Sequence, residues 1–154
     1  MKPKFIYNKF IPFGKFTAIT ILFWVFVKMR RTPTGGWYEP RISDRLRRHE
    51  TYHAWQQVCL LALGLAVMVV LAAFGFYDWW VWLMPLLAPF GTYVLCWLIE
   101  IILPPYNSAY KDICFEGEAQ YNEQNLNPKF IPFSFLLYIR NKNWRELGIT
   151  RFLR

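Results

Sequence analysis

The sequence predicts a membrane α+β protein: a two-helix transmembrane hairpin, with an N-terminal strand region before it and short extramembrane helical segments beside it. Three observations carry this reading. Two apolar stretches, 58–77 and 79–103, hold a single charged residue between them, Glu100. Each meets the roughly 20 residues needed to cross a hydrocarbon core about 30 Å thick. All 18 lysines and arginines fall outside residues 49–103, eleven before and seven after. Finally, the run 16–27 is dense in β-branched and aromatic residues, which suits a strand.

At 154 residues the chain has the length of one domain. Its composition is not that of an ordinary soluble one: 55% hydrophobic, 20% aromatic, with a mean hydropathy of +0.16. Burying two such helices inside protein would need a shell that a chain this short lacks. The basic residues flanking the hairpin place both termini on the cytoplasmic side, with Asp78 and its neighbouring tryptophans at the far interface. The net charge of +8 is accounted for by topology and contact with an anionic lipid bilayer. No nucleic-acid motif accompanies it.

Taken in order, residues 1–40 form the strand region, with two short strands or a hairpin in 1–31 broken at Pro12-Phe13-Gly14. The apolar run 16–27 is followed by Lys28, Arg30 and Arg31 in place of a signal-peptide cleavage site. Ser43 or Asp44 is placed to cap a helix over 41–57 that continues without a breaker into the first span. Asp78 marks the hairpin turn, and Pro85 and Pro89 predict a kink in the second span. Leu103-Pro104-Pro105 ends it. A helix over 110–124 carries several glutamates, and 128–154 is a basic, aromatic tail. Cys59, Cys96 and Cys114 have no CxxC spacing and read as free packing thiols. Lys9-Phe10-Ile11-Pro12-Phe13 recurs as Lys129-Phe130-Ile131-Pro132-Phe133, which is too little for a repeat architecture.

Both histidines of the chain lie in His49-Glu50-Thr51-Tyr52-His53, an HExxH motif. Residues four apart on a helix stack on one face. Two imidazoles therefore point at one metal ion, with Glu50 beside the open coordination position. Two nitrogen ligands, an activated water and a carboxylate to take its proton make the zinc-peptidase pattern.

Such a site needs a third protein ligand, and Glu116, Glu118 and Glu123 are the candidates. The hairpin makes them reachable: HExxH precedes the first span and the glutamates follow the second, so both halves return to one side. On a helix Glu116 shares a face with Gln120 and Glu123, whereas Glu118 points elsewhere, as a solvated charge or an arginine partner. Outer positions are open to Gln56, Gln120, Asp112 and Glu100. Counted symmetrically from Asp78, Glu100 falls level with His53 and Gln56. There it either accepts the far N–H of a metal-bound histidine or pairs with Arg47 or Arg48.

With these two motifs the chain resembles the gluzincin metallopeptidases, in particular the membrane-embedded HtpX-like and CAAX prenyl protease type. Those enzymes also place two membrane helices between HExxH and an ExxAD motif. Glu116-Gly117-Glu118-Ala119-Gln120 matches ExxA, with glutamine at the aspartate position. The chain is also similar to small bacterial membrane proteins with an HExxHxxQ…FExEA pattern, here His49 through Gln56 and Phe115 through Ala119. The likeness covers residues 41–124 in arrangement and is specific only in the motifs. It implies a zinc ion on His49, His53 and Glu116, Glu50 as general base, a bacterial inner-membrane location, and a peptide or membrane-protein substrate. The strand near 16–28 would then offer an edge to an extended peptide. The alternative is a non-catalytic metal-binding membrane protein with a structural or partner-binding role.

Overall fold

The computed structural model describes residues 2–12, 16–102, 113–125 and 129–136. Among them are strands β1 (Lys4–Asn8), β2 (Ala18–Ile21), β3 (Trp24–Lys28), β4 (Arg30–Arg31) and β5 (Trp37–Tyr38). The helices are α1 (Asp44–Ala73), α2 (Trp79–Ile102) and α3 (Cys114–Asn122).

α1 begins as its sequence implies. The Ser43 side chain accepts the Leu46 N–H at 3.2 Å, and Asp44 sits in the first turn, where an anion favours the helix dipole. The helix ends at Ala73, four residues short of the predicted Tyr77. Gly75 takes φ +87, and the Phe76 and Gly75 N–H groups return to Leu71 and Ala72 at 3.0 Å each. This is the six-to-one and five-to-two pairing by which a left-handed glycine stops a helix.

α1 and α2 are each long and apolar enough to cross a membrane. Their outer faces carry exposed Val69, Val70, Leu86 and Ile102. They approach closely at Gly64, where an added Cβ would lie 2.6 Å from the Met84 carbonyl oxygen and 2.8 Å from Pro85 Cα. This contact corrects the predicted register. Counting equally from it, Tyr93 rather than Glu100 stands level with Gln56, because the hairpin pivots near Gly75 and not at Asp78. The Glu100 side chain lies outside the described residues, as do Asp112 and residues 110–111 of the predicted glutamate helix. Of the predicted tail, 129–136 is described.

The predicted single strand over 16–27 is two strands. β2 and β3 pair antiparallel, with Ile21 opposite Trp24, so Leu22 and Phe23 form a two-residue turn. Leu22 adopts φ 52, a conformation costly for a bulky L-residue. No glycine or asparagine advertised it. β1 adds to β3 in parallel, giving the order β1-β3-β2 with β2 at an edge. Val25 and Val27 point from β3 into a core with Ile42, against which Leu46 of α1 packs.

Residues 129–136 brace α1 and α3. Tyr52 donates its hydroxyl to the Lys129 carbonyl at 3.3 Å, and Phe130 meets the Tyr52 and Trp55 rings at 4.7 and 5.5 Å. Phe10, its counterpart in the repeated pentapeptide, is 78% exposed. The two copies therefore occupy different environments.

Candidate metal centre

α1 presents His49, His53, Gln56, Gln57 and Leu60 along one face, at the spacing a 3.6-residue turn requires. α3 crosses this face and delivers Glu116. The Nε2 atoms of His49 and His53 are 3.0 Å apart. Glu116 Oε2 lies 3.4 Å from His49 Nε2, and Glu116 Oε1 lies 3.3 Å from His53 Nε2. A tetrahedral ion with ligands about 2.0–2.1 Å away holds its ligand atoms about 3.3 Å apart. Each contact is near that spacing, the two oxygens of Glu116 facing one imidazole each, and the three side chains, whose ligand atoms lie within 4.8 Å of one another, could hold one metal ion.

The other ring nitrogens set the direction of the lone pairs. His49 Nδ1 faces Glu123 Oε2 at 3.1 Å, and His53 Nδ1 faces Gln56 Oε1 at 2.9 Å. Both acceptors favour a proton on Nδ1, which leaves the Nε2 lone pairs directed at the common point. Glu123 is in turn fixed by Arg45, whose Nε donates to Oε1 at 2.8 Å, and by Arg48, which donates to the Glu123 carbonyl. Gln56 is buried and donates to the Phe115 carbonyl at 3.1 Å and to Glu118 Oε2 at 2.7 Å. Ser134 donates to the other Glu118 oxygen.

Burial and charge act against each other here. Burial pulls the His53 pKa down, but the adjoining Glu116 carboxylate, Glu50 and Gln56 outweigh it and push the imidazole up to about 9. Burial raises the Glu116 carboxyl, and the two histidines overcome this and hold it below the usual carboxylate range.

Glu50 is buried beside the triangle. Its Oε2 accepts the Thr20 hydroxyl from β2 at 2.6 Å, which aims the carboxylate without consuming both oxygens. A cavity of about 330 Å³ opens from these groups, walled mostly by carbon: Ile19 and Ile21 from β2, Leu60 from α1, and Phe90, Tyr93 and Val94 from α2.

Of the predicted site residues, His49, Glu50, His53 and Glu116 come together, with Gln56 holding His53. Gln120 is half-buried, and among the described residues no hydrogen bond joins it to the triangle. Glu118 departs from its expected role. It is 2% exposed, tied to Gln56 and Ser134 rather than solvated or paired with an arginine, because 129–136 folds over it. Arg48 bonds to Glu123, and Arg47 lies 5.0 Å over the Phe5 ring.

Sequence reasoning missed the service of Glu123 to His49, although its seven-residue spacing from Glu116 is a readable signal. Thr20 left no signal at all. Comparison with protein-family models, curated proteins and solved structures finds no match to this chain.

Proposed function

We infer that the protein is a zinc-dependent endopeptidase, anchored in a membrane by the α1–α2 hairpin and cutting peptide bonds at the cytoplasmic interface. One observation carries the reading: two imidazole nitrogens and the two oxygens of one buried carboxylate converge in a cluster able to hold one metal ion, with a second buried carboxylate, Glu50, held alongside by Thr20. Two imidazoles plus one carboxylate, with room for a fourth ligand, is the donor set of catalytic rather than structural zinc. Zinc, when bound, supplies a Lewis acid that makes water an effective nucleophile near neutral pH.

The chain's own residues supply the rest. His49, His53 and Glu116 would hold the ion. Glu50 would take the proton of the attacking water and return it to the leaving amine. The cavity accepts an apolar side chain beside the cleaved bond, and β2 offers an edge to an extended peptide. In this reading Glu123 takes the histidine-orienting role that the ExxAD aspartate has in the enzymes this chain resembles, one helical turn beyond Gln120. The basic flanks would keep the site on the cytoplasmic face.

The test is Glu50→Gln in detergent-purified protein. It should retain wild-type zinc and lose about 10²–10⁴-fold in turnover of an unfolded protein substrate. Turnover equal to wild type would remove Glu50 from catalysis, and no turnover by zinc-loaded wild type would favour a non-catalytic metal site.

A further inference from the structure

The edge strand beside the site is open along only part of its length. The Thr17 carbonyl accepts the Lys28 N–H at 3.0 Å, so the odd-numbered residues of β2 face β3. Alternation turns the backbone groups of Ala18, Thr20 and Leu22 outward. Two of these outward groups are taken by one side chain. Gln57 Nε2 donates to the Thr20 carbonyl at 2.9 Å, and Gln57 Oε1 accepts the Leu22 N–H at 2.6 Å. A primary amide bonded this way replaces the peptide group of a neighbouring strand.

Its position follows from the sequence. Gln57 is one turn past His53 and immediately precedes the apolar stretch that begins at Val58. β2 runs beside α1 in the same sense, since Thr20 meets Glu50 while Leu22 meets Gln57. The edge is thus closed at its Leu22 end. Among the described residues nothing pairs with the outward backbone of Ala18. Glu50 sits between, facing Thr20. The left-handed Leu22 fits the same picture: strain persists where neighbours fix it, and Gln57 holds its N–H.

We propose that Gln57 is a positioning residue that ends the peptide-binding edge. It confines main-chain pairing to the Ala18 side of the cleaved bond, so the site selects peptides that run extended on one side only. On the other side the substrate is read through an apolar side chain in the cavity under Leu60, Phe90, Tyr93 and Val94. This rests on the peptidase reading above.

The experiment uses the full chain in detergent with zinc. A peptide cleaved from unfolded casein is identified, then lengthened one residue at a time on either side of the cut. For wild type, kcat/KM should rise about fivefold per added main-chain hydrogen bond on one side and stay flat on the other. Gln57→Ala and Gln57→Ser should make it rise on both sides through KM, and should add cuts two residues from the original, since strand register slips in steps that keep the same face inward. If the variants keep zinc and the one-sided profile, the proposal is overturned. Loss of zinc in both, or a uniform loss for every peptide length, overturns it too, because Gln57 then only props the sheet. Failure of zinc-loaded wild type to cut any casein peptide sinks the peptidase reading itself, a separate result.

Discussion

Removing the Glu123 carboxylate should weaken metal binding without touching a ligand. Its side chain is only 10% exposed and faces His49 Nδ1 at 3.1 Å. A hydrogen bond to a buried charged group contributes about 1.5–3 kcal/mol. Partners of metal-bound histidines are worth about 10–100-fold in affinity, or roughly 1.4–2.8 kcal/mol, so the two scales agree. Glu123→Ala should therefore bind zinc about 100-fold more weakly than wild type, and Glu123→Gln, which keeps an acceptor but not the charge, about tenfold more weakly. Arg45→Ala is the control. Arg45 is 64% exposed, so water screens its pair with Glu123 to about 1 kcal/mol or less, and its removal should weaken binding by at most about fivefold. Competition of metal-free protein with a fluorescent zinc chelator gives all four constants. Binding by Glu123→Ala within about twofold of wild type, against that 10–100-fold scale, would refute the reasoning.

Four further outcomes are expected. Gly64→Ala should lower the melting temperature by the equivalent of about 1–3 kcal/mol, because the new Cβ would press on Met84 and Pro85 backbone; an unchanged melt would contradict so close an approach of the two helices. Thr20→Val removes the 2.6 Å bond to Glu50 and should lower kcat about tenfold with KM and zinc content unchanged, whereas a change confined to KM would place Thr20 in substrate binding instead. In metal-free protein the His53 pKa is raised from 6.5 to about 9, so the stability it contributes is full below pH 6.5 and lost as pH rises through about 9. Glu116 is shifted down from 4.5, so its contribution is present above that value and lost as pH falls. The metal-free melting temperature should thus peak between these limits and fall on the alkaline side. Zinc affinity should rise with pH over that same alkaline range, as the His53 proton is released; a pH-independent zinc affinity from 6.5 to 9 would contradict it.

The helical half of the fold was legible because its signals are local. Ser43, the HExxH spacing and two long apolar stretches fix α1 and α2 through capping, periodicity and length. That Glu116 returns to the HExxH end follows from counting two apolar helices between the motifs. Tertiary contacts decided the rest. Leu22-Phe23 lies within a continuous β-forming run, and the turn depends on Gln57 accepting its backbone from another element. Glu118 looked solvent-bound because nothing in its own helix revealed that 129–136 would cover it. The hairpin register differs from the sequence expectation through one residue: the sequence points to Asp78 as the pivot, while Gly75 ends α1 and Gly64 sets the contact. Thr20 meets Glu50 across thirty positions of sequence, a pairing no short-range pattern encodes.

Metal stoichiometry of the purified protein, compared with His53→Ala and Glu116→Ala, tests most directly whether His49, His53 and Glu116 form one site. About one zinc per chain in wild type, lost from both variants while their helical content stays intact, is the expected result, since a catalytic zinc rests on three protein ligands. Wild-type protein without zinc after reconstitution, or variants that bind it as wild type does, would contradict the account.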